Sequence, residues 1–482
     1  VSQRARNWLI PLAWAGAIGA LLLILFPLGF PNYDTIYALV WGRELAHGVS
    51  PDYGAALPPT PHPLSDLLGM VTAPLGDGAI TVTMVIAYLS LGLVGYFVYR
   101  LGSLWFDRPI GAVAAAIVLT RAPFLSNGLR AYVDIPYIAL VLGALLIETK
   151  RSRSGWPVLT LLALAGLLRP EAWGFAIAYW LWMALDYQGG LRWRRERPPQ
   201  ELTWLAVLAL AGPVLWLLFD GITTGDFLYS LTGTQETVET LQRKTGPADL
   251  LLYGPRVLGE VMQWPGMVGA LGGIIFAFAF LRRRAALGIA AVVLALAAFA
   301  FLGAAGLAII ARYTMLGGAI LAIFVAVGLL GWRLLESGHP WRKSWQVFAG
   351  AVALMFVLWL PNQWDLDSTV HEDLTDQGTI ERDLGDLVDS GAFVKPLCGP
   401  IAVPNHRAVP RLAFSLDIKP TEVISASEEG VPRRGYFLHP ASPFVIHNFI
   451  LDPNDPTRFS LDPPRGFQRV AANNSWILFR RC

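Results

Sequence analysis

The chain has 482 residues, 54% hydrophobic and 15% charged, with a mean hydropathy of +0.49 and a net charge of +2. Ordinary soluble domains carry about 25% charged residues, so this composition excludes a soluble enzyme and a disordered chain. A balance of +2 lacks the basic footprint of nucleic-acid binding, and two cysteines exclude a disulfide framework and cysteine-rich zinc modules.

A bilayer core of about 30 Å needs roughly 20 apolar residues per helix. Candidate spans run at about 8–29, 79–99, 109–126, 132–149, 155–169, 171–187, 202–219, 265–281, 285–304, 310–332 and 344–361, eleven in all. The third and fifth are short, as a tilted, broken or re-entrant segment would be. The first apolar run is too long for a cleavable signal, and no small-residue cleavage site follows it. Of 37 Lys and Arg residues, 17 fall in six short segments: Arg4 and Arg6; Arg100 and Arg108; Lys150, Arg151 and Arg153; Arg192, Arg194, Arg195 and Arg197; Arg282 to Arg284; and Arg333, Arg342 and Lys343. The positive-inside rule makes these the cytoplasmic loops. The expected protein is a multi-pass plasma-membrane protein with its N-terminus cytoplasmic and its C-terminus outside.

Three regions then face the exterior: loops at about 30–78 and 220–264, and the tail at 362–482. The tail holds 28 of the 72 charged residues, so it marks a second domain after a membrane domain at 1–361. Ile380, Leu384, Leu387 and Val388 have helical spacing, and short apolar runs follow between Pro and Gly, as in a small α/β domain. Cys398 and Cys482 both lie there and could pair on an oxidising face.

Ionisable residues at a membrane boundary are the first candidates for function. Asp34, in Pro31-Asn32-Tyr33-Asp34, is either such a group or the N-cap of the following stretch. That stretch, Tyr37 to Ala46, has the length and aromatic content of an interfacial helix. Pro58 to Leu64 forms a proline-rich turn presenting His62, either a phosphate or proton partner or an ordinary loop histidine. Arg130 and Asp134 stand four apart and would share a helix face. Arg169-Pro170-Glu171 parts two apolar runs, with Glu171 suited to a helix start. Arg312-Tyr313 opens the tenth span, where an arginine must snorkel, pair or bind an anion. Carboxylates beside guanidinium groups at headgroup depth suit holding a lipid-linked phosphate while a base activates a hydroxyl.

In this order and spacing, the motifs over residues 8–361 resemble the GT-C superfamily of polytopic glycosyltransferases, most of all its protein O-mannosyltransferase and aminoarabinose transferase-like branch. They are Asp34, the helix ending Leu45-Ala46-His47-Gly48, the turn His62-Pro63-Leu64, the run Arg100 to Arg108, the second acidic motif Arg130 to Pro136, Arg169-Pro170-Glu171 and Arg312-Tyr313. The resemblance implies an all-α membrane fold and transfer of a sugar, usually with inversion, from a polyprenyl-phosphate carrier to a glycan, lipid or protein acceptor. It implies Asp34 as candidate base and Asp134 as organiser, both also candidate ligands of a divalent cation, Mg or Mn. Arg130, Arg169, Arg312 and His62 become candidate phosphate ligands, and Tyr33, Glu171 and Tyr313 supporting residues. Two features depart from the pattern: Thr35 stands where many relatives have a second acid, and the turn reads Pro-His-Pro-Leu rather than His-Pro-Pro-Leu. The tail matches no catalytic motif; binding acceptor, capping the site and stabilising the outer face stay open.

A transporter or flippase of lipid-linked saccharides is the main alternative. It should carry midplane polar residues and often two similar halves. Spans eight to ten are nearly pure Ala, Leu, Gly and Phe, and no half is duplicated. A sugar polymerase or ligase, and an inactive scaffold of the same fold, complete the alternatives. With no GxxxxGK[ST] phosphate loop, nucleotide-driven transport is not expected.

Overall fold

The computed structural model describes residues 3–27, 29–187, 191–193, 199–450, 463 and 465–482. Arg194, Arg195 and Arg197, counted above toward the cytoplasmic loops, lie outside the described residues, as do Val1 and Ser2. In chain order the helices are α1 (Gln3–Leu25), α2 (Tyr33–Ala46), α3 (Pro63–Thr72), α4 (Gly78–Trp105), α5 (Arg108–Leu119), α6 (Ala122–Leu129), α7 (Asp134–Lys150), α8 (Trp156–Gly166) and α9 (Glu171–Ala184). A short hairpin, β1 (Leu185–Tyr187) and β2 (Leu191–Trp193), precedes α10 (Pro199–Thr224), α11 (Tyr229–Thr240), α12 (Gly246–Phe280), α13 (Arg282–Ala304), α14 (Met315–Leu330) and α15 (Arg342–Asp389).

Six helices among the described residues are long and apolar enough to cross a membrane: α4, α10, α12, α13, the segment Ala311–Leu334 that contains α14, and α15. The expected third span is broken: α5 and α6 are bent by 62° and together would make a seventh. Pro123 in the first turn of α6 fits that break, because proline cannot continue a helix without losing a hydrogen bond. Two shorter apolar helices are Leu9–Leu25 and Trp156–Gly166, the latter being the short fifth segment. The stretch 220–264 is largely helical rather than loop. It holds α11 and the first half of α12, which kinks at Gln263 (φ 57°), two residues before Pro265.

α14 carries no charge and is buried from Met315 to Gly328, as a helix apolar on every side should be. It is the central helix of the main core, packed by α4, α5, α12 and α13. α2 is buried along most of its length. One flank crosses α3 where two glycines meet: a Cβ on Gly42 would come within 2.4 Å of Gly69 backbone, and one on Gly69 within 2.3 Å of the Ala38 carbonyl. No larger residue permits that backbone approach.

α2's other flank joins the C-terminal part. There β3 (Ile401–Val403), β4 (Val423–Ser425), β5 (Gly435–Pro440), β6 (Gln468–Ala472) and β7 (Trp476–Arg481) form a sheet of order β4-β3-β5-β7-β6. β3 runs parallel to β4 and β5, while β5, β7 and β6 are antiparallel. α16 (Val409–Leu416) and the last turns of α15 cover it. Tyr37 and Trp41 of α2 enter the same core as Ile380, Leu384, Leu412 and Trp476. A disulfide joins Cys398 to Cys482, closing the terminal strand against the start of this unit. α15 runs unbroken through residue 361, so one helix belongs to both parts of the chain.

Candidate active site

The N-cap of α2 is Asn32, whose side-chain oxygen accepts from the Asp34 and Thr35 amides at 2.8 and 3.2 Å. Asp34 is therefore not the cap, and its carboxylate is left for another partner. Asn32 also donates through its side chain (2.8 Å) and its backbone amide (2.9 Å) to the Arg130 carbonyl. Thr35, where a second acid was looked for, donates to the Ala131 carbonyl at 2.8 Å. The start of α2 is thus tied to the turn between α6 and α7.

That turn corrects the expected Arg130–Asp134 pair. α6 ends at Leu129, α7 begins at Asp134, and Ala131 is left-handed (φ 54°), so helical i,i+4 spacing does not apply. Arg130 instead donates to Ser126 and, at 3.1 Å, to Gln377 of α15, with Asp373 4.0 Å away. Asp134 turns inward and pairs with Arg169, both side chains being 5% exposed or less.

Two arginine–carboxylate pairs result. Arg312 Nη1 donates to Asp34 Oδ2 at 3.3 Å, with each side chain partly exposed (24% and 21%). Tyr313 links the pairs: its ring lies 4.6 Å from the Arg169 guanidinium and 5.5 Å from that of Arg312, which also stands 5.5 Å from Tyr132. Such ring–guanidinium contacts hold the cations in place. Glu171 opens α9 and is buried. Arg169 Nε, Arg312 Nε, Glu171 Oε2 and His62 Nδ1 are buried without a hydrogen-bond partner among the described residues. Unsatisfied polar atoms of this kind are costly unless a ligand meets them.

His62 precedes α3 in extended conformation, with its ring 5.7 Å from Trp216 in edge contact. Burial, then the charges of Arg169 and Arg312, hold its pKa well below the ordinary histidine value, so the imidazole is neutral. Tyr33 donates to the Leu57 carbonyl at 3.0 Å and meets the rings of Tyr37 and His406 edge-on. Burial raises its pKa well above the ordinary phenol value, so it too stays neutral.

Asp34, Tyr33, His62, Arg130, Arg169, Glu171, Arg312 and Tyr313 all line one cavity of about 1540 Å³. Asp134 does not; it sits behind Arg169. Cys398 and Cys482 are not part of it either. One flank is apolar, with Ile177, Trp216, Leu294 and Phe301, of which Ile177 (44% exposed) and Phe301 (73% exposed) face outward. The C-terminal part also contributes to the lining, with Gln377, Glu381, His406 and Arg407. None of these four was singled out from sequence. Glu381 adjoins Ile380 in the apolar helix pattern, but nothing distinguishes it from the tail's fifteen other acids.

The donor set does not fit a divalent cation held by Asp34 and Asp134. Each carboxylate is ion-paired to an arginine, and no group of three or more His, Cys, Asp or Glu side chains comes together among the described residues.

No family model and no curated protein sequence matches the chain. Solved structures do. ArnT from Cupriavidus metallidurans bound to undecaprenyl phosphate matches with a TM-score of 0.56 at 14% identity, over 98% of each chain. Its apo form gives the same score and identity, over 99% of this chain and 98% of that one. The Archaeoglobus fulgidus oligosaccharyltransferase tethered to an acceptor peptide matches with a TM-score of 0.50 at 12% identity, over 95% of this chain and 74% of that one. What the likeness shows is the fold: this chain is a mostly helical structure with a small C-terminal sheet, folded like these two proteins.

Proposed function

We propose that this chain is a membrane glycosyltransferase of the GT-C kind that moves a sugar from a polyprenyl-phosphate carrier to an acceptor hydroxyl, on the extracytoplasmic face. The observation that carries this is one cavity joining an acid–arginine cluster to an apolar flank with outward-facing residues. A polyprenyl chain suits that flank, and a phosphate suits the unsatisfied Nε donors of Arg169 and Arg312 beside neutral His62. ArnT crystallised with undecaprenyl phosphate supports the same class of donor.

In the proposed step, Asp34 accepts the proton of the acceptor hydroxyl. The hydroxyl oxygen attacks the anomeric carbon from the face opposite the phosphate, with inversion. The carbon–oxygen bond to phosphate breaks, and polyprenyl phosphate leaves with the electron pair. Arg312, Arg169 and Arg130 stabilise the growing charge of the leaving phosphate. Asp134 acts through Arg169, holding its guanidinium against Tyr313. No step is routed through a divalent cation, because the residues present do not fit one. Residues 1–361 would form the catalytic membrane unit and 362–482 the outer domain, with the N-terminus cytoplasmic.

The test is purified protein in nanodiscs given a panel of radiolabelled polyprenyl-phosphate sugars. Release of free polyprenyl phosphate by wild type, lost in Asp34→Asn, is the expected result. No release from any donor, even with membrane extract as acceptor, would overturn the transferase and favour a saccharide-lipid transporter.

A further inference from the structure

We infer that Glu381 is the acceptor-binding residue of this site, and that the acceptor it takes is a saccharide offering neighbouring hydroxyls. This rests on the transferase proposed above. The apolar part of α15 ends near Leu360, and Glu381 lies 21 residues further along a charged stretch, about 32 Å at 1.5 Å per residue. Glu381 therefore belongs to the outer part of the chain, yet lines the same cavity as Asp34.

Two of the other three acids lining that cavity are engaged. Asp34 accepts from Arg312, and Asp220 accepts from the Ser230 amide and hydroxyl at 3.0 and 2.8 Å. Glu171, whose Oε2 has no hydrogen-bond partner among the described residues, lies under the charge of Arg169. Glu381 Oε2 is 3.8 Å from Arg411 Nε, too far for a hydrogen bond. With a side chain only 14% exposed, this carboxylate is largely withdrawn from water without gaining a close partner. Burial, opposed only in part by Arg411, pushes its pKa up to about 7. An ionised carboxylate accepts through two oxygens, which matches a pair of sugar hydroxyls.

The surrounding wall has the same character. Gln377 lies one turn earlier on the same face of α15, while His406, Arg407 and the ring of Tyr33 line the cavity too. Planar polar side chains beside an aromatic ring meet a sugar's hydroxyls and its apolar face.

The experiment uses wild type, Glu381→Gln and Glu381→Asp in nanodiscs, so that no sugar-headed detergent competes. The probes are octyl glucoside, octyl mannoside and octyl galactoside, with octyl tetraethylene glycol as control. Probe binding is followed by tryptophan fluorescence, and transfer by polyprenyl-phosphate release at fixed donor. The expected result is saturation by at least one glycoside but not by the control. Glu381→Gln should raise that glycoside's KM and Kd about ten- to a hundredfold, more than it lowers kcat, and Glu381→Asp should recover part of the loss. Equal affinity in Glu381→Gln and wild type, or saturation by the control as readily as by the glycosides, overturns the inference. The binding arm needs no turnover, so absence of release with every donor refutes the transferase while Glu381 is still decided.

Discussion

Replacing Asp34 with Asn separates chemistry from folding. Asp34 and Arg312 are paired at 3.3 Å with roughly a fifth to a quarter of each side chain exposed. A pair that open to solvent contributes under about 1 kcal/mol, so the variant should unfold close to wild type. Its amide keeps the shape, and the Asn32 cap, which fixes the start of α2, is untouched. Loss of a general base costs about 10²- to 10⁴-fold in rate, or about 3–5 kcal/mol of barrier. Arg312, released from its carboxylate, should hold the donor phosphate at least as tightly. The assay is single-turnover release of sugar from a labelled polyprenyl-phosphate donor, beside donor binding and thermal unfolding on the same preparation. Unchanged release in Asp34→Asn would remove it as base. So would a loss of rate that merely tracks the unfolded fraction.

Asp134→Asn should behave in the opposite way, because Arg169 is then left buried without its carboxylate. Breaking such a pair costs about 3–5 kcal/mol, and thermal unfolding of Asp134→Asn with Arg169→Gln should show part of that regained. Glu381 makes stability pH-dependent: its folded pKa of about 7 lies above the ordinary 4.5, so stability from this group is full below about pH 4.5 and lost as pH rises through about 7. Glu381→Gln should thus be more stable than wild type at pH 8, by on the order of 3 kcal/mol, with the advantage gone at pH 4; a constant difference at both pH values would refute the assignment. Cys398→Ser opens a link across 84 residues and should cost the C-terminal unit about 2–5 kcal/mol, read as faster proteolysis of 390–482; equal digestion would refute that role.

Much of the helix content was legible because an apolar run near 20 residues long has few alternatives. Eleven spans were expected; among the described residues six helices are long and apolar enough to cross, seven with the bent α5–α6 pair, while α7, α8 and α9 have 17, 11 and 14 residues. A run's composition reports its transfer energy, not its path, so bends and re-entry escape it. The stretch 220–264 reads as loop because Thr, Gln and Pro dilute its apolar pattern, although α11 and half of α12 form there. Arg130 and Asp134 show the limit most clearly: spacing alone makes them partners, and one left-handed residue, Ala131, sends them to Gln377 and Arg169 instead.

Composition, the apolar runs and the order of short motifs were enough to determine a polytopic helical chain and to name Asp34, His62, Arg169 and Arg312 as neighbours in kind. These are local properties, set by solvent transfer and residue chemistry. Only the tertiary structure decided which acid meets which arginine. It also withdrew Asp134 from the cavity and brought Glu381 across 347 residues to face Asp34's cavity. Those pairings depend on backbone turns, on the Gly42–Gly69 crossing and on a helix shared by both parts of the chain, and no single segment encodes them.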